Sequence, residues 1–476
     1  LNPEEFFRKA GLKPRPLQLE AAKQLAEMID TGSVGFQAPT GFGKTITVLA
    51  AISLLDAFPV TWRVRTFDIA KRVSDDCALL GLPFFIGAGR EKLCPLKTEY
   101  KNNTVYFCRY LKHKCSFFRE ISKRVISRQF FEDVFNYEDL SNKVEHIEVC
   151  PYYLQSFIDR KVFIVPYRFG LPLNVNLEVV DEAHNLVLDL QSFPEEKLRE
   201  ALAELDLKEP IEDLIGSTLV ETVQMRLVEL LEMGRRPLVA GSVLSLLQGA
   251  KFIWREEGVV NVLKFNPPRG RTIFVSATLE PLAKIFKIPV VKVPVERKPV
   301  AFILSWLTTR FRDFDAYMIK QYNDLIFLLR KNFERILVFA TKRISRHLGA
   351  DFVEGAPQDW KGVLLLYSRG RKSEGVNIES EAVVIAGAPY LPPYVHVERI
   401  GITHDETVAV ITIQNIGRAI RQPENNPLIV LADERYLKLK QFLSDYFHFV
   451  EVNDLQELDR LLKHKQYASD FLREKL

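Results

Sequence analysis

An α/β fold with two parallel-sheet domains is the fold class that three observations predict. A short buried strand, Val34 to Gln37, runs into a glycine-rich loop and on into an apolar helix, Ile46 to Leu55. A second β-branched strand ends on two carboxylates, Asp181 and Glu182, placed 137 residues after Lys44. Beyond residue 300 the apolar runs "RILVFA", "GVLLLYS", "EAVVIAGAP" and "PLIVLAD" alternate with helical or loop segments, the rhythm of a parallel sheet wrapped by helices. No short-period repeat and no low-complexity linker interrupts the chain.

The loop after the first strand, "APTGFGKT", carries the most chemistry. Gly41 and Gly43 free the backbone to fold around phosphates and turn N–H groups inward, and the following helix adds a favourable dipole. Thr40 lies in the same loop, Lys44 is placed to reach β- and γ-phosphates, and the Thr45 hydroxyl is placed to ligate Mg²⁺. Phe42 stands where a small residue is often found, and only its backbone is needed there. A glycine-rich turn that merely fits the pattern is the alternative, and the strand before and helix after argue against it.

The carboxylate pair belongs to "NLEVVDEAHNL". Its strand ends at Val180, so Asp181 and Glu182 emerge at a C-terminal sheet edge, where ligands of open α/β sheets bind. Asp181 is placed to hold Mg²⁺ through water, Glu182 to orient and deprotonate an attacking water, and His184 to couple them to other segments. Three further stretches follow in order. "RTIFVSATL" is an apolar strand ending in Ser276, Ala277 and Thr278. "SRGRKSEGVNI" sets Glu374 and Gly375 after the strand "GVLLLYS". "TIQNIGRAIRQPEN" is expected to open a helix carrying Gln414, Gly417, Arg418 and Arg421, with the two arginines three apart on one face. Either guanidinium can act as a finger on a γ-phosphate; taken singly, a surface salt bridge is the plainer reading.

The bulk figures bound the rest. The chain has 476 residues, 47% hydrophobic and 26% charged, enough for about three globular domains that need no covalent staples. No apolar run approaches the roughly 18–20 residues that span a bilayer, and "LNPEEFFRKAG" lacks a signal-peptide pattern, so no membrane partner is expected. The first residue is Leu1, so the numbering is expected not to start at an initiator Met. Five cysteines form no disulfide framework, and a reducing compartment is expected.

Net charge is only +4, but residues 97–128 hold nine Lys or Arg against two Glu. Tyr100, Tyr106, Phe107, Tyr110, Phe117 and Phe118 are interleaved with them. That mixture suits single-stranded nucleic acid, with cations on phosphates and rings on bases; a solvated basic face over a small core fits equally. The same region holds Cys94, Cys108, Cys115 and Cys150, separated by 13, 6 and 34 residues. Four thiolates suit zinc or an iron–sulfur cluster, although structural zinc sites use tight C-x₂₋₄-C pairs that are missing here. Ordinary buried thiols remain open on these residues alone, and Cys77, outside the span, is expected to be one.

Taken together, "QAPTGFGKT", "VVDEAH", "VSAT", "EGVN" and "QNIGRAIRQ" resemble the motifs of superfamily 2 DEAH-box helicases of the iron–sulfur class, the XPD type above all. The resemblance runs along nearly the whole chain. It implies two RecA-like P-loop motor domains, with an iron–sulfur insertion and a helical arch insertion in the first. The implied boundaries are 1–88, 153–189 and 266–300 for the first motor, 89–152 for the cluster domain, 190–265 for the arch and 301–476 for the second motor. "KPRPLQLEAAKQL", with Arg15 and Gln18, resembles the family's N-terminal nucleotide-side motif, and "WRVRTFDIAKRV", with Arg65 and Thr66, its first DNA-contacting motif.

The family's cluster ligands fall on Cys94, Cys108, Cys115 and Cys150, with a wider middle gap than usual; Asn377 stands where Asp is usual. The stretch "SFPEEKLREALAELDLKEPIEDLIGS…ETVQMRLVELLEMG" reads as helices and is shorter than the family's arch. The implied cofactors are ATP, Mg²⁺ and a 4Fe–4S cluster. The implied activity is ATP-dependent, 5′-to-3′ unwinding by a cytoplasmic, nucleoid-associated monomer of a compact prokaryotic kind. Its implied partners are single-stranded and forked DNA and proteins of nucleotide excision repair. A DinG-type helicase, a translocase that does not unwind, and an ATPase serving as a repair scaffold are the rivals.

Overall fold

In a computed structural model of the chain, the described residues are 3–9, 11–121, 127–187, 189–208, 217–256, 258–265, 270–295, 297–369, 378–393, 395–420 and 427–463. They divide into two compact units, Leu1–Gln37 with Lys44–Val291, and Ala38–Gly43 with Lys292–Leu476. None of the described helices is long and apolar enough to cross a membrane.

The strands of the first unit are β1 (Val34–Gln37), β2 (Val60–Val64), β3 (Phe84–Ile86), β4 (Val162–Pro166), β5 (Leu177–Val180), β6 (Asp189–Pro194), β7 (Ala250–Glu256), β8 (Val259–Lys264), β9 (Thr272–Ser276) and β10 (Val290–Lys292). Seven of them form one sheet in the order β10-β1-β9-β5-β2-β4-β3. From β1 to β3 every pairing is parallel. β1 and β9 are buried at every position, as strands covered on both faces must be. The order matters more than the strand count. It sets the ends of β1, β9 and β5 side by side, with Gln37 opposite Ser276 and Val180 opposite Phe274.

Two segments depart from this sheet. Between β3 and β4 the chain makes short helices, among them Arg90–Leu93, Thr104–Tyr110, Ser116–Ile121, Tyr137–Lys143 and Pro151–Leu154. Between β5 and β9 it makes helices Glu195–Glu204, Ser217–Glu232 and Ala240–Leu247, together with the antiparallel sheet β6-β8-β7. The expectation of helices across 192–234 is thus corrected at its start. Ser192 and Phe193 lie in β6, and beyond the helices Ala250–Glu256 and Val259–Lys264 pair as antiparallel strands, with Gly258 at φ +74° between them.

The two segments share a core. Tyr106, Phe107, Leu111 and Cys115 pack with Leu198, Leu202, Leu227, Leu230 and Leu244. Cys150 and Tyr152 pack instead with Phe85, Phe163 and Val165 of the sheet. The contact between segments is closest at Gly241, where a Cβ would meet Asn103 Oδ1 at 2.3 Å and the Asn102 carbonyl oxygen at 2.5 Å. Asn103 also donates from Nδ2 to the Pro237 carbonyl at 2.5 Å, and Asn102 to Leu238 at 2.8 Å. Alanine is normally the better helix former, but here Gly241→Ala is expected to destabilise the first unit by about 1–3 kcal/mol through overpacking. Thermal unfolding compared with the parent checks this; an unchanged midpoint would mean the segments separate freely.

The second unit carries β11 (Val300–Leu304), β12 (Arg335–Ala340), β13 (Phe352–Val353), β14 (Gly362–Tyr367), β15 (Ala382–Ala386), β16 (Leu428–Ala432) and β17 (His448–Val452). All are parallel, in the order β13-β14-β12-β15-β16-β11-β17. Successive residues alternate between two cores. Ile336, Val338 and Ala340 face one side with Val384 and Val430, while Leu337 and Phe339 face the other with Val383 and Ile429. Helix Ala316–Arg330 covers the first face and helix His404–Ile416 the second.

Candidate active site and thiol cavity

Chemistry-bearing residues follow the ends of adjacent strands at one edge of the first sheet. The loop after β1 has Gly41 at φ +84° and Gly43 at φ +89°, a backbone that L side chains rarely adopt and that an anion cradle requires. Helix Lys44–Leu54 starts directly afterwards, with Lys44 and Thr45 in its first turn and Thr40 in the turn before it. Thr45 hydrogen-bonds the Asp76 carboxylate, which burial pushes up to about 6 against that bond.

At the end of β5, Asp181 and Glu182 come next to each other in space as in sequence. Burial first, then the Glu182 charge, push the Asp181 carboxyl up to about 6, against the pull of the Lys44 ammonium. Glu182 is held at φ +48°, ψ +46°, a left-handed conformation that costs a non-glycine residue of order 1–3 kcal/mol. Neighbours hold it there. Tyr167 Oη donates to the carbonyls of Asp181 and Glu182, and Asn185 donates to the Glu182 carbonyl from its backbone N–H at 3.0 Å and from Nδ2 at 3.1 Å. His184 Nδ1 lies 2.9 Å from Ser276 Oγ at the end of β9 and 3.4 Å from Glu182 Oε2. Ser276 Oγ also accepts the Thr278 N–H at 3.1 Å. Ser276, Thr278, His184 and Glu182 thus form one connected path.

Other expected residues are engaged in structure. Gln18 is buried, with Oε1 accepting the Arg15 N–H at 2.7 Å and Nε2 3.5 Å from Thr47 Oγ1 on the helix behind the phosphate loop. Arg15 itself is exposed. Arg65 pairs with Asn185 Oδ1 and, at 3.5 Å, with Asp189. Thr66 Oγ1 accepts the Ile69 N–H at 3.3 Å and caps helix Phe67–Leu79.

In the second unit, Gln414 lies in helix His404–Ile416. The expected placement of Arg418 on that helix is corrected: the helix stops at Gly417, and Arg418 sits in the turn that follows, 9% exposed, its guanidinium 5.8 Å from the Phe339 ring centroid. Arg421, Glu374, Gly375 and Asn377 lie outside the described residues.

The four clustered cysteines line one small pocket, part of it open to solvent, together with Arg90 and Lys112. Burial pushes the Cys94 thiol up to about 11 and Cys150 up to about 12, and the neighbouring thiols add to both shifts. Among the described residues no three His, Cys, Asp or Glu side chains are grouped as a single metal ion needs. The donor set is soft and the wall is cationic. Arg90 stacks at 4.5 Å on the Tyr152 ring, and its buried Nε has no hydrogen-bond partner among the described residues. A sulfur-rich anion in the cavity would satisfy that orphaned donor, so the residues present fit such a group. Sequence reasoning missed Arg90, whose only signal is its place four residues before Cys94, and it missed Tyr167 and Asn185, which carry none. Cys77 is fully buried in helix Phe67–Leu79, with its thiol pushed up to about 12.

Residues 323–448 match the family model described as a helicase C-terminal domain, and residues 82–200 match the DEAD_2 model. No curated protein matches the chain. Among solved structures, an XPD helicase superposes with a TM-score of 0.67 at 20% identity, over 92% of this chain and 100% of that one. Xpd4 of S. tokodaii gives 0.58 at 16% identity over 92% and 100%, and an apo XPD structure 0.59 at 16% over 91% and 100%. The class follows: the chain carries helicase domains of superfamily 2. Its fold, two parallel-sheet units with inserted segments in the first, is that of the XPD helicases.

Proposed function

We propose that the chain is an ATP-dependent DNA helicase that moves 5′ to 3′ along single strands and separates duplexes. The observation that carries the reading is the adjacency of β1, β9 and β5, which brings the phosphate loop, Ser276 and the Asp181–Glu182 pair to one sheet edge. Lys44 and the loop N–H groups of Gly41 and Gly43 bind phosphate. Thr45 and Asp181 hold Mg²⁺, which screens phosphate charge when bound and relieves the Asp181–Glu182 repulsion. Glu182 orients water and takes its proton. His184 and Ser276 relay the state of that carboxylate to Thr278. Gln18 and Arg15 face the nucleotide; Arg418 and Arg421, with Gln414 and Gly417, supply charge to the γ-phosphate; Glu374 and Gly375 couple hydrolysis to movement. Arg65 and Thr66 shape a DNA-contacting loop, Arg65 through its tie to Asn185 and Thr66 as a helix cap.

Cys94, Cys108, Cys115 and Cys150 would hold a 4Fe–4S cluster, with the Arg90 guanidinium available to it as a donor. The cluster supplies a rigid soft-ligand brace. Residues 1–88, 153–189 and 266–300 form the first motor, 89–152 the cluster domain, 190–265 the arch and 301–476 the second motor. Polarity and a role in nucleotide excision repair rest on likeness to XPD helicases.

The test is phosphate release with and without single-stranded DNA, followed by unwinding of forks bearing either a 5′ or a 3′ tail. Stimulated hydrolysis and unwinding only from the 5′ tail support the reading. Stimulation without unwinding leaves a translocase, and no stimulation leaves a scaffold.

A further inference from the structure

The second unit holds an exposed aromatic ring on a tightly anchored loop, and nothing in the nucleotide chemistry uses it. The anchor is Asp433, fully buried just beyond β16. Its carboxylate accepts the Thr309 N–H at 3.1 Å, the Thr309 hydroxyl at 2.8 Å, the Ala388 N–H at 3.1 Å and Arg435 Nε at 2.8 Å. Burial alone would push this carboxyl up, but Arg435 and these hydrogen bonds outweigh it and hold it below the usual carboxylate range.

Thr309 belongs to the loop that follows β11, and the loop crosses the end of β15 at Gly387. There φ is +83°, and a Cβ would lie 2.6 Å from both Thr309 Oγ1 and Cγ2. Two residues further on, Phe311 is 82% exposed. The Arg343 guanidinium, three residues past β12, stacks on it at 4.5 Å and reaches Phe314 at 5.5 Å. Phe314 packs in turn edge-on against Tyr322 and His347 and joins the core. The exposed ring is therefore backed on one side by Arg343, which is itself anchored on Phe314.

A lone exposed phenylalanine is ordinary on a loose surface loop. This one stands at the C-terminal edge of a parallel sheet, the edge where such folds bind ligands, on a backbone fixed by a buried ion pair. Its surroundings are cationic. Arg312 is exposed beside it, and Lys342 Nζ lies 5.9 Å from the Tyr367 ring. Arg310 is partly neutralised by Glu434 at 3.2 Å, and the Asp315 carboxylate is turned to cap helix Ala316–Arg330. Asp313, two residues on, is exposed as well, so the cationic character rests on Arg343 over the ring and Arg312 next to it; a flat apolar face with guanidinium groups at hand matches a base flanked by phosphates.

We propose that Phe311, backed by Arg343, is a stacking platform for one base of a single-stranded nucleic acid, with Arg312 and Lys342 beside the phosphates. The inference rests on the helicase reading above. Fluorescence anisotropy of a labelled oligo(dT), titrated with the full chain over a range of salt, tests it. Phe311→Ala and Phe311→Leu are expected to weaken binding by roughly 5- to 100-fold with an unchanged salt slope, because the ring carries no charge and Leu has no π face; Phe311→Trp restores affinity. Arg312→Gln reduces the slope by about 0.7. Wild-type affinity in Phe311→Ala, or full affinity in Phe311→Leu, overturns the platform and leaves the helicase reading standing. A parent chain that binds no oligo(dT) at all overturns both. Thermal unfolding of each variant confirms that a loss is not a folding defect.

Discussion

Glu182→Gln is expected to bind ATP as the parent does and to hydrolyse it roughly 10²- to 10⁴-fold more slowly. The amide keeps the size of the carboxylate and its backbone. It therefore leaves untouched the Tyr167 and Asn185 bonds that hold residue 182 in its left-handed conformation. What it removes is the base, along with the negative charge that raises Asp181. Asp181 should then ionise at lower pH and hold Mg²⁺ at least as well, so nucleotide should accumulate unhydrolysed. Lys44→Ala is the contrasting case, losing affinity and turnover together because the phosphate loses its cation. Equilibrium binding of a fluorescent ATP analogue and single-turnover phosphate release separate the two. Parent-like turnover in Glu182→Gln would move the base elsewhere, and parent-like affinity in Lys44→Ala would move the phosphate site.

Cys108→Ser is expected to have the second largest effect. Iron should fall from about four per chain to near none, with loss of broad visible absorption. The structural consequence should be regional. Cys115 belongs to the core that the two inserted segments share, and Cys150 to the core against the sheet, so a group held by all four thiols joins two cores. Without it, hydrogen exchange should rise in helices Thr104–Tyr110, Glu195–Glu204 and Ser217–Glu232, while β1, β5 and β9 keep their protection. ATP hydrolysis should persist and duplex separation should fail. Loss of both activities in a folded protein would mean that the inserted segments and the motor are one cooperative unit. One zinc and no iron in the parent would point to a structural thiolate site.

Much of the fold was legible because it is written in local periods. The runs at 335–340, 362–367, 382–386 and 428–432 are uninterrupted apolar stretches bounded by turn residues, and all four are strands of the second sheet. β11, β13 and β17 of the same sheet were not read. Two of these are edge strands, where exposure blurs the apolar signal, and β13 is two residues long. The hairpin β7–β8 was passed over because helical spacing in the residues before it dominated the reading. The helix end at Gly417 was mistaken because an apolar helix can run into an arginine pair as easily as stop before it. In the structure the backbone turns at that glycine, and Arg418 packs over Phe339 instead of projecting from a helix.

The candidate site divides in the same way. Gly41, Gly43, Lys44, Thr45, Asp181 and Glu182 could be picked out because their types and spacing follow from phosphate and metal chemistry. Arg65 and Thr66 could be picked out too, but their local roles, an ion pair and a helix cap, depend on Asn185, Asp189 and Ile69. By itself, then, the sequence determined the two-sheet α/β class, the strands with the plainest apolar runs and the short stretches that carry the chemistry, since these depend on neighbours a few residues apart. Only the tertiary structure decided that β9 lies between β1 and β5, that His184 meets Ser276, that four thiols line one cavity where two cores meet, and that Phe311 is held exposed. Each of these depends on contacts between residues tens to hundreds of positions apart, and such contacts are selected by packing and hydrogen bonding in three dimensions.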